Sequence, residues 1–470
     1  MAGTQTLAER QAAGRQARER AKRSEHNAIG NVNRDPIKLL EANSRGRVEA
    51  LVPLRYGRMA VSPFTFFRGS AILQAHDLAR TPNSGFTFPI CGDAHLMNFG
   101  GFATPERQQV FDLNDFDEVA TGPWEWDVKR LCGSLAVAGR HMGVDDATIG
   151  DIVRAAVYEY RNRMNEYSER SALELWYELV TFDRMMEEAA TAEGRRLIQR
   201  AKEKGQTRTH ESVLRKMAVK RDDTWIMQDA PPAMFHPGGP NSLLGKDSNW
   251  AETESWKGKL GKTFEGYLAT LASERRALVR QFELHDITFK VVGVGSVGTV
   301  CLVMLMVDSH DKPLFLQVKE ARKSVVAQFF GVQDAAHEGE RVVSGQRLLQ
   351  AASDLFLGWT TGPAGRHFYF RQLRDMKYSA DVERLDNTLL QGYARACGWA
   401  LARAHAKASG QAVEIDAYLG SGDPFADALV QYALACAVQN EKDYQTFMAA
   451  CRSGKLQARS DEDMAADFRI

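Results

Sequence analysis

Between Phe88 and Glu118 the chain reads Phe-Pro-Ile-Cys-Gly-Asp93-Ala-His95-Leu-Met-Asn98-Phe-Gly-Gly, then a short polar turn, then Val110-Phe-Asp112-Leu-Asn114-Asp115-Phe-Asp117-Glu118. Solvated loops are also acidic, but they rarely weave their acids between Ile, Val, Leu and Phe. Carboxylates in apolar, strand-like sequence are drawn into or beside a core, where each needs a cation, a hydrogen-bond donor or a metal ion. The stretch therefore predicts a β-hairpin that holds a divalent metal and a general base. Whatever surrounds it must supply those partners or deliver a substrate.

At 470 residues the chain has room for two or three domains, or for one large two-lobed enzyme. Lys plus Arg and Asp plus Glu each number 60, so no global field favours nucleic acid or a membrane surface. A nucleotide would have to be held by a local patch, and neither a nucleic-acid nor a membrane partner is expected. The six cysteines stand singly among apolar neighbours, as small buried hydrophobes do in a reducing cytoplasm. A cytoplasmic location follows as the expectation, since no run of about 18 apolar residues could span a bilayer. Residues 1–30 are polar and rich in arginine, and are expected to form a basic flexible arm.

After the arm, Pro36 to Leu54 has partly helical periodicity, and Arg55 to Gly69 is apolar sequence punctuated by Arg58 and Arg68. An arginine set among aromatic residues anchors a buried carboxylate or binds an anion, and both roles stay open for these two. Gly122-Pro-Trp-Glu-Trp-Asp127 opens a helical region that runs with interruptions to about Val219. Turn signals such as Asp229-Ala-Pro-Pro and His236-Pro-Gly-Gly-Pro-Asn mark residues 204–250 as a linker or elaborated loop. A helix is expected from about Thr263 to Leu284. The texture then changes: Thr288 to Met306 is β-branched and punctuated by glycine, and Leu314 to Glu320 reads as a further strand. Helices are expected over 337–352, 389–408 and 424–451, with a strand from Phe368.

This second region names a substrate class. Gly293-Val-Gly295-Ser296-Val-Gly298 lets backbone N–H groups approach phosphate oxygens. A dinucleotide fingerprint would need a helix directly after the glycines, whereas here the chain continues as strand and puts them in a hairpin. Protein kinases cover ATP in this way, with a lysine on the next strand that pairs with the phosphates, and Lys319 occupies that place. Phosphoryl transfer also needs a carboxylate beside the attacking hydroxyl, and an amide oxygen and a second carboxylate on magnesium. Asp93 and Asn98 have the five-residue spacing of that base and amide. Asp115 falls where the metal carboxylate belongs, with Asp112 and Asp117 as rivals. Asp127 is expected to cap the next helix or to hydrogen-bond the Asp93 loop from behind. The glutamate that orients a kinase lysine has candidates in Glu338, Glu340 and Glu320, of which Glu340 is carried forward. The glycine loop lies about 200 residues after Asp93, the reverse of the kinase order, so the two halves fit one site only through a circular permutation.

Ser62-Pro-Phe-Thr-Phe-Phe-Arg-Gly, Gly92-Asp-Ala-His-Leu-Met-Asn-Phe-Gly, Asp112-Leu-Asn-Asp-Phe-Asp-Glu, Trp126-Asp-Val-Lys-Arg-Leu, Lys290-Val-Val-Gly-Val-Gly-Ser-Val-Gly-Thr and Gly345-Gln-Arg-Leu-Leu-Gln together resemble the bacterial family called domain of unknown function 2252. The resemblance runs from about residue 30 to 450, and the family name implies no activity. The chain further resembles aminoglycoside-phosphotransferase-like kinases. The helix around Tyr393-Ala-Arg-Ala-Cys-Gly-Trp is similar to the one that precedes their catalytic loop, with His405 a packed core residue. That resemblance implies Asp93 as base, Asn98 and Asp115 on Mg2+, and Lys319 on the phosphates of ATP. It also implies an α+β, two-lobed, circularly permuted protein-kinase-like fold. The basic arm would be followed by a catalytic helical lobe over 31–250, a nucleotide-covering α/β lobe over 251–385, and C-terminal helices over 386–470 that return to the catalytic lobe.

Two rivals remain. A metal-dependent phosphohydrolase would use Asp93 and His95 as ligands and leave Lys319 idle. A nucleotide-binding pseudokinase would keep the fold without the transfer, and similar folds also carry out nucleotidyl transfer. The expected partners are thus a nucleotide, magnesium and an unidentified hydroxyl acceptor, a small molecule or a protein.

Overall fold

A computed structural model describes residues 5–244, 253–373 and 376–467. Capping chemistry sets the starts of the early helices. Asp35 accepts the N–H groups of Ile37 and Lys38 ahead of the helix Pro36–Ser44, and a Ser62–Thr65 capping box opens the helix Pro63–Gly69. Val52–Ala60 lies between them. The acidic stretch is extended, but it does not form one simple hairpin. β1 (Thr87–Ile90) pairs with β4 (Ala120–Pro123), and inside that pair β2 (Phe99–Ala103) pairs with β3 (Gln109–Leu113). Residues 91–98 and 114–119 are left as loops that lie side by side, joined where Asn114 N–H donates to the Asn98 carbonyl at 2.8 Å. The largely buried helix Trp124–His141 follows and packs against the helices Asp146–Ser168, Asn387–Ser409 and Pro424–Arg452.

The hairpin β5 (Ala218–Arg221) and β6 (Thr224–Met227) precedes the large sheet. The sheet is built from β7 (Met234–Phe235), β8 (Phe282–Lys290), β9 (Cys301–Asp308), β10 (Pro313–Glu320), β11 (Gly358–Thr361) and β12 (His367–Gln372). Its order is β11-β12-β10-β9-β8-β7, antiparallel throughout. The glycine motif occupies the connection between β8 and β9. The helix Glu338–Leu349 crosses from β10 to β11 and touches β11, β12 and β1. The helix expected to reach Leu284 stops at Ala269, a short helix Ser273–Val279 follows, and Phe282 begins β8. Pairing of Phe282 with Asp308 and of Ile287 with Met304 decides that segment, and those partners are not local in sequence.

The largest apolar cluster joins residues from Ile37 to Leu456, so the C-terminal helices share one core with the acidic loops. Two further clusters cover the faces of the sheet. One of them contains Val213, Leu214, Ala218, Met227 and Met234. Residues 213–235, expected as linker in the first lobe, are therefore structured parts of the sheet unit, recruited because they cover its outer face. The basic arm also differs from expectation. Leu7–Arg20 is a helix docked on Ala412–Leu419, so close that a Cβ at Gly14 would lie 2.2 Å from the Glu414 carbonyl oxygen. Three arginines of this segment make that contact. Arg10 forks onto Glu414, with two hydrogen bonds of 2.8 Å, and Arg18 and Arg23 donate to the carbonyls of Tyr418 and Leu419. Cys91, Cys132, Cys301 and Cys397 are buried free thiols. Among the described residues no helix is long and apolar enough to cross a membrane.

Candidate active site

The chain leaves β1 and turns at Gly92, where φ is +80° and a Cβ would lie 2.3 Å from the Glu118 carbonyl oxygen. Asp127, in the first turn of Trp124–His141, holds this turn from beneath. It accepts the N–H of Cys91 at 2.7 Å and of Gly92 at 2.8 Å. His405 Nε2 lies 3.2 Å from the same carboxylate, and its Nδ1 lies 2.9 Å from the Tyr160 hydroxyl, so His405 belongs to buried packing. Asn98 Nδ2 donates to the Asp93 carbonyl at 2.7 Å, and the Met97 N–H donates to His95 Nδ1 at 3.2 Å. The loop is thus fixed by its own polar groups, and Asp93 is left at its mouth.

Arg130, one turn along the helix from Asp127, donates from Nε to Asp93 Oδ1 at 2.7 Å. Its other nitrogens donate to Gln74 Oε1 at 3.0 Å and to the Phe67 carbonyl at 2.7 Å, which fixes the guanidinium in place. Burial pushes the Asp93 carboxyl up to about 7; Arg130 opposes this, while the charges of Glu118 and Asp115 add to it. A carboxyl poised near neutrality can take up a proton and release it again. His95 Nε2 stands 3.9 Å from Asp93 Oδ2, and burial, with Arg130 and Arg68 nearby, keeps that imidazole neutral.

The three candidate metal aspartates separate. Asp112 is fully buried, paired with Arg403, and accepts the N–H groups of Leu113 at 2.9 Å and Ala351 at 2.8 Å. It ties β3 to the helices behind it and lines neither cavity beneath the glycine loop. Asp115 and Asp117 lie on the open side. Lys319, from β10, reaches both: its Nζ bonds Asp117 Oδ2 and stands 3.7 Å from Asp115 Oδ1. Burial works against an ionised Asp115, but Lys319, Arg371 and Lys377 hold its pKa below the ordinary value. Burial likewise opposes a charged Lys319, and Asp115 and Asp117 overcome it, so the ammonium is kept. Asp117 also accepts from Tyr369 at 2.7 Å and from Ser296 at 3.0 Å, which makes it the joint between the glycine loop, the sheet and the acidic loops. Glu340 does not reach this site: it lies exposed at the start of its helix, and Glu338 pairs with Arg341. The carboxylates that Lys319 meets come from the acidic loop instead of the helix, because Lys319 points across the cleft at residues 115–117.

The glycine loop is held by arginines from the N-terminal region, Arg47 in the connection after Pro36–Ser44 and Arg58 on Val52–Ala60. Arg47 donates to the carbonyls of Gly295 at 2.8 Å and Val297 at 2.7 Å, and Arg58, forked onto Asp461, donates to the Gly293 carbonyl at 2.8 Å. Gly293 and Gly298 have φ of +66° and +84°, in the left-handed region that favours glycine.

Two cavities meet beneath this loop and share Asp115, Gly293 and Ser296 in their walls. One, of about 620 Å3, is lined by Val292, Lys319, Leu355, Phe356, Arg371 and Lys377 among others. The other, of about 230 Å3, holds Asp93, His95, Asn98, Asp117, Glu118 and Arg68. Asp93, Asn98, Asp115, Lys319 and the glycines are therefore brought together, Asp127 supports them from below, and Asp112 and Glu340 stand apart. Arg130, Arg47 and Tyr369 are part of the arrangement and were not singled out from sequence. Arg130 carries a local signal, three residues from Asp127 on one helix face; the other two have none. Among the described residues no three carboxylate, imidazole or thiol groups converge on one point as a ready-made metal cage.

No curated protein and no solved structure is significantly similar to the chain. A family model does match, over residues 47–450, and that span includes the acidic loops, Arg130, the glycine loop and Lys319. The chain belongs to the family described as uncharacterized proteins conserved in bacteria, domain of unknown function 2252 (DUF2252).

Proposed function

We propose that this protein is an ATP- and Mg2+-dependent phosphotransferase acting on a hydroxyl acceptor, with a circularly permuted kinase-like arrangement. The observation that carries the proposal is the 3.7 Å approach of Lys319 to Asp115 at the seam between two cavities, one cationic and one holding Asp93. Nucleotide phosphates would enter the larger cavity under the glycine loop, beside Lys319 and Arg371. The acceptor would enter the smaller one, beside Asp93.

Asn98 and Asp115 are the residues to hold magnesium. Among the described residues no donor reaches Asn98 Oδ1, Asp115 is held ionised, and oxygen donors that leave positions for phosphate oxygens suit this ion. Bound there, the metal would neutralise charge on the transferring group. Asp93 accepts the proton as the acceptor oxygen attacks the γ-phosphorus; the bond to the β-phosphate oxygen breaks, ADP leaves, and Asp93 later returns the proton to solvent. Arg130 keeps the Asp93 carboxylate aimed into the cavity. His95, buried and neutral with its Nδ1 turned to Met97, suits a loop-shaping role better than a metal-ligand one.

Thermal-shift titration with ATP tests the first half: stabilisation should require Mg2+ and should weaken in Lys319→Ala. Transfer of label from γ-labelled ATP to a metabolite library tests the second half, with Asp93→Asn expected to keep nucleotide binding and lose about 10²- to 10⁴-fold in turnover. Label transferred from α-labelled ATP would mark nucleotidyl transfer instead. A wild-type protein that shows no Mg2+-dependent nucleotide shift would sink the proposal.

A further inference from the structure

The smaller cavity is lined by three arginines that none of its carboxylates pairs. Five carboxylates line it, and most are already engaged. Asp93 is bound by Arg130 at 2.7 Å, Glu320 by Arg366 at 3.1 Å, and Asp115 and Asp117 share Lys319. Glu118 accepts the Val325 N–H at 2.7 Å, and burial raises its pKa. Against these, Arg47, Arg68 and Arg322 line the same cavity, and among the described residues no carboxylate lies within ion-pair distance of any of them. Arg47 and Arg322 spend their nitrogens on backbone carbonyls and, for one nitrogen of Arg47, on Asn43 Oδ1, and both meet at the carbonyl of Asn43, which each approaches to 3.1 Å. Such bonds fix a guanidinium in place without cancelling its charge.

Arg68 differs from both. Its side chain donates no hydrogen bond to any described residue, and its buried Nε has no partner. What it touches is the ring of Phe64, 5.9 Å from its guanidinium carbon. Asp93 lies beyond ion-pair reach and is already taken by Arg130. Burial lowers the Arg68 pKa, with Asp93 and Glu383 opposing. A buried, unpartnered Nε leaves hydrogen-bonding capacity of the guanidinium unused, and an oxyanion that takes the fork through Nε and an η nitrogen would use it.

We propose that the acceptor is an anionic hydroxy compound whose carboxylate or phosphate binds Arg68, with Arg47 and Arg322 supplying long-range attraction, while its hydroxyl is presented to Asp93. The inference rests on the phosphotransferase reading for the role of Asp93, but the anion site itself does not. At about 230 Å3 the cavity takes a metabolite-sized ligand, below the usual range for drug-sized molecules. Neutral polyols and cationic amino sugars should be poor ligands, because neither occupies the Arg68 fork.

Inorganic phosphate is the probe, titrated calorimetrically into the full-length protein with and without a non-hydrolysable ATP analogue and Mg2+, the analogue filling the γ-phosphate position. Wild type should bind phosphate in both conditions, Arg68→Gln should bind it at least tenfold more weakly, and Arg68→Lys should recover part of the loss. Melting curves of both variants report folding. Lys319→Ala should weaken the nucleotide analogue, and the at least tenfold effect of Arg68→Gln on phosphate binding should persist when it is tested with and without Lys319→Ala. Phosphate that is displaced by the analogue, or that binds Arg68→Gln as tightly as wild type, would overturn the anion site. If the analogue fails to bind at all while the Arg68 dependence persists, the nucleotide reading fails and the anion site stands. The chemistry of the anion is separated in a further arm, in which glycerate and glycerol 2-phosphate are compared with glycerol as competitors of phosphate; competition by glycerol equal to theirs would also overturn the proposal.

Discussion

Asp93 and Asp112 are both acidic residues in apolar sequence, yet their environments give them opposite work. Asp112 meets Arg403 and two backbone N–H groups and is satisfied; Asp93 meets one arginine on one oxygen and faces a cavity, so its carboxyl is raised to about 7. Two predictions belong here. If Asp93 is the base, kcat/KM should rise with pH along a single-proton slope, level off above about 7, and fall away below as the carboxyl protonates. Arg130→Gln should move that inflection upward, since Arg130 is what lowers the Asp93 pKa, and a pH–rate profile of the two proteins checks the sign. Removal of one partner of the buried Asp112–Arg403 pair, as in Arg403→Met, should cost about 3–5 kcal/mol of stability, because an uncompensated carboxylate is left in the core. Denaturant melts measure it.

At the scale of elements, the sheet carries its own electrostatic latch. His236, just past β7, sits between Asp286 at 3.0 Å and Asp229 at 2.7 Å, and the hydrogen bond and charge of Asp286, then those of Asp229, raise its pKa to about 9. A folded pKa above the unfolded value of about 6.5 means that the contribution to stability is full below about 6.5 and disappears as pH rises through about 9. The imidazole is partly exposed, so screening holds the effect to about 1 kcal/mol. His236→Gln should therefore destabilise the protein at pH 6 and have little effect at pH 10, read from melting temperatures across that range. The latch joins Asp229 and the β7 region to β8, the strand that feeds the glycine loop.

For the whole molecule, the order in which the chain is assembled is not its order in sequence. The first helix docks on residues 412–419, Arg34 bridges Asp77 and Asp443, and Arg58 holds Asp461 and the glycine loop together. Both ends of the chain thus brace the site from outside. Deletion of residues 1–27 should lower the melting temperature by several degrees and expose Tyr418 and Glu414, with faster proteolysis near residue 412 as a second readout. A flexible arm would leave both unchanged.

Local sequence determined a good deal. The acids woven into apolar strands, the glycines between β8 and β9, the lysine of β10 and the long helices over 387–409 and 424–452 are legible because period, turn chemistry and strand propensity act over a few residues. Sequence also set the spacing of Asp93 and Asn98 within one loop. Tertiary structure decided the rest. It chose Asp117 instead of Glu340 as the partner of Lys319, buried Asp112 against Arg403, docked the arginine-rich arm, and supplied Arg130 to Asp93 and Arg68 to the cavity that Asp93 faces. Each of those outcomes depends on which charges are left facing one another once the cores close. Charge pairing across the cleft and within the core joins residues more than 200 positions apart, and no local pattern carries that information.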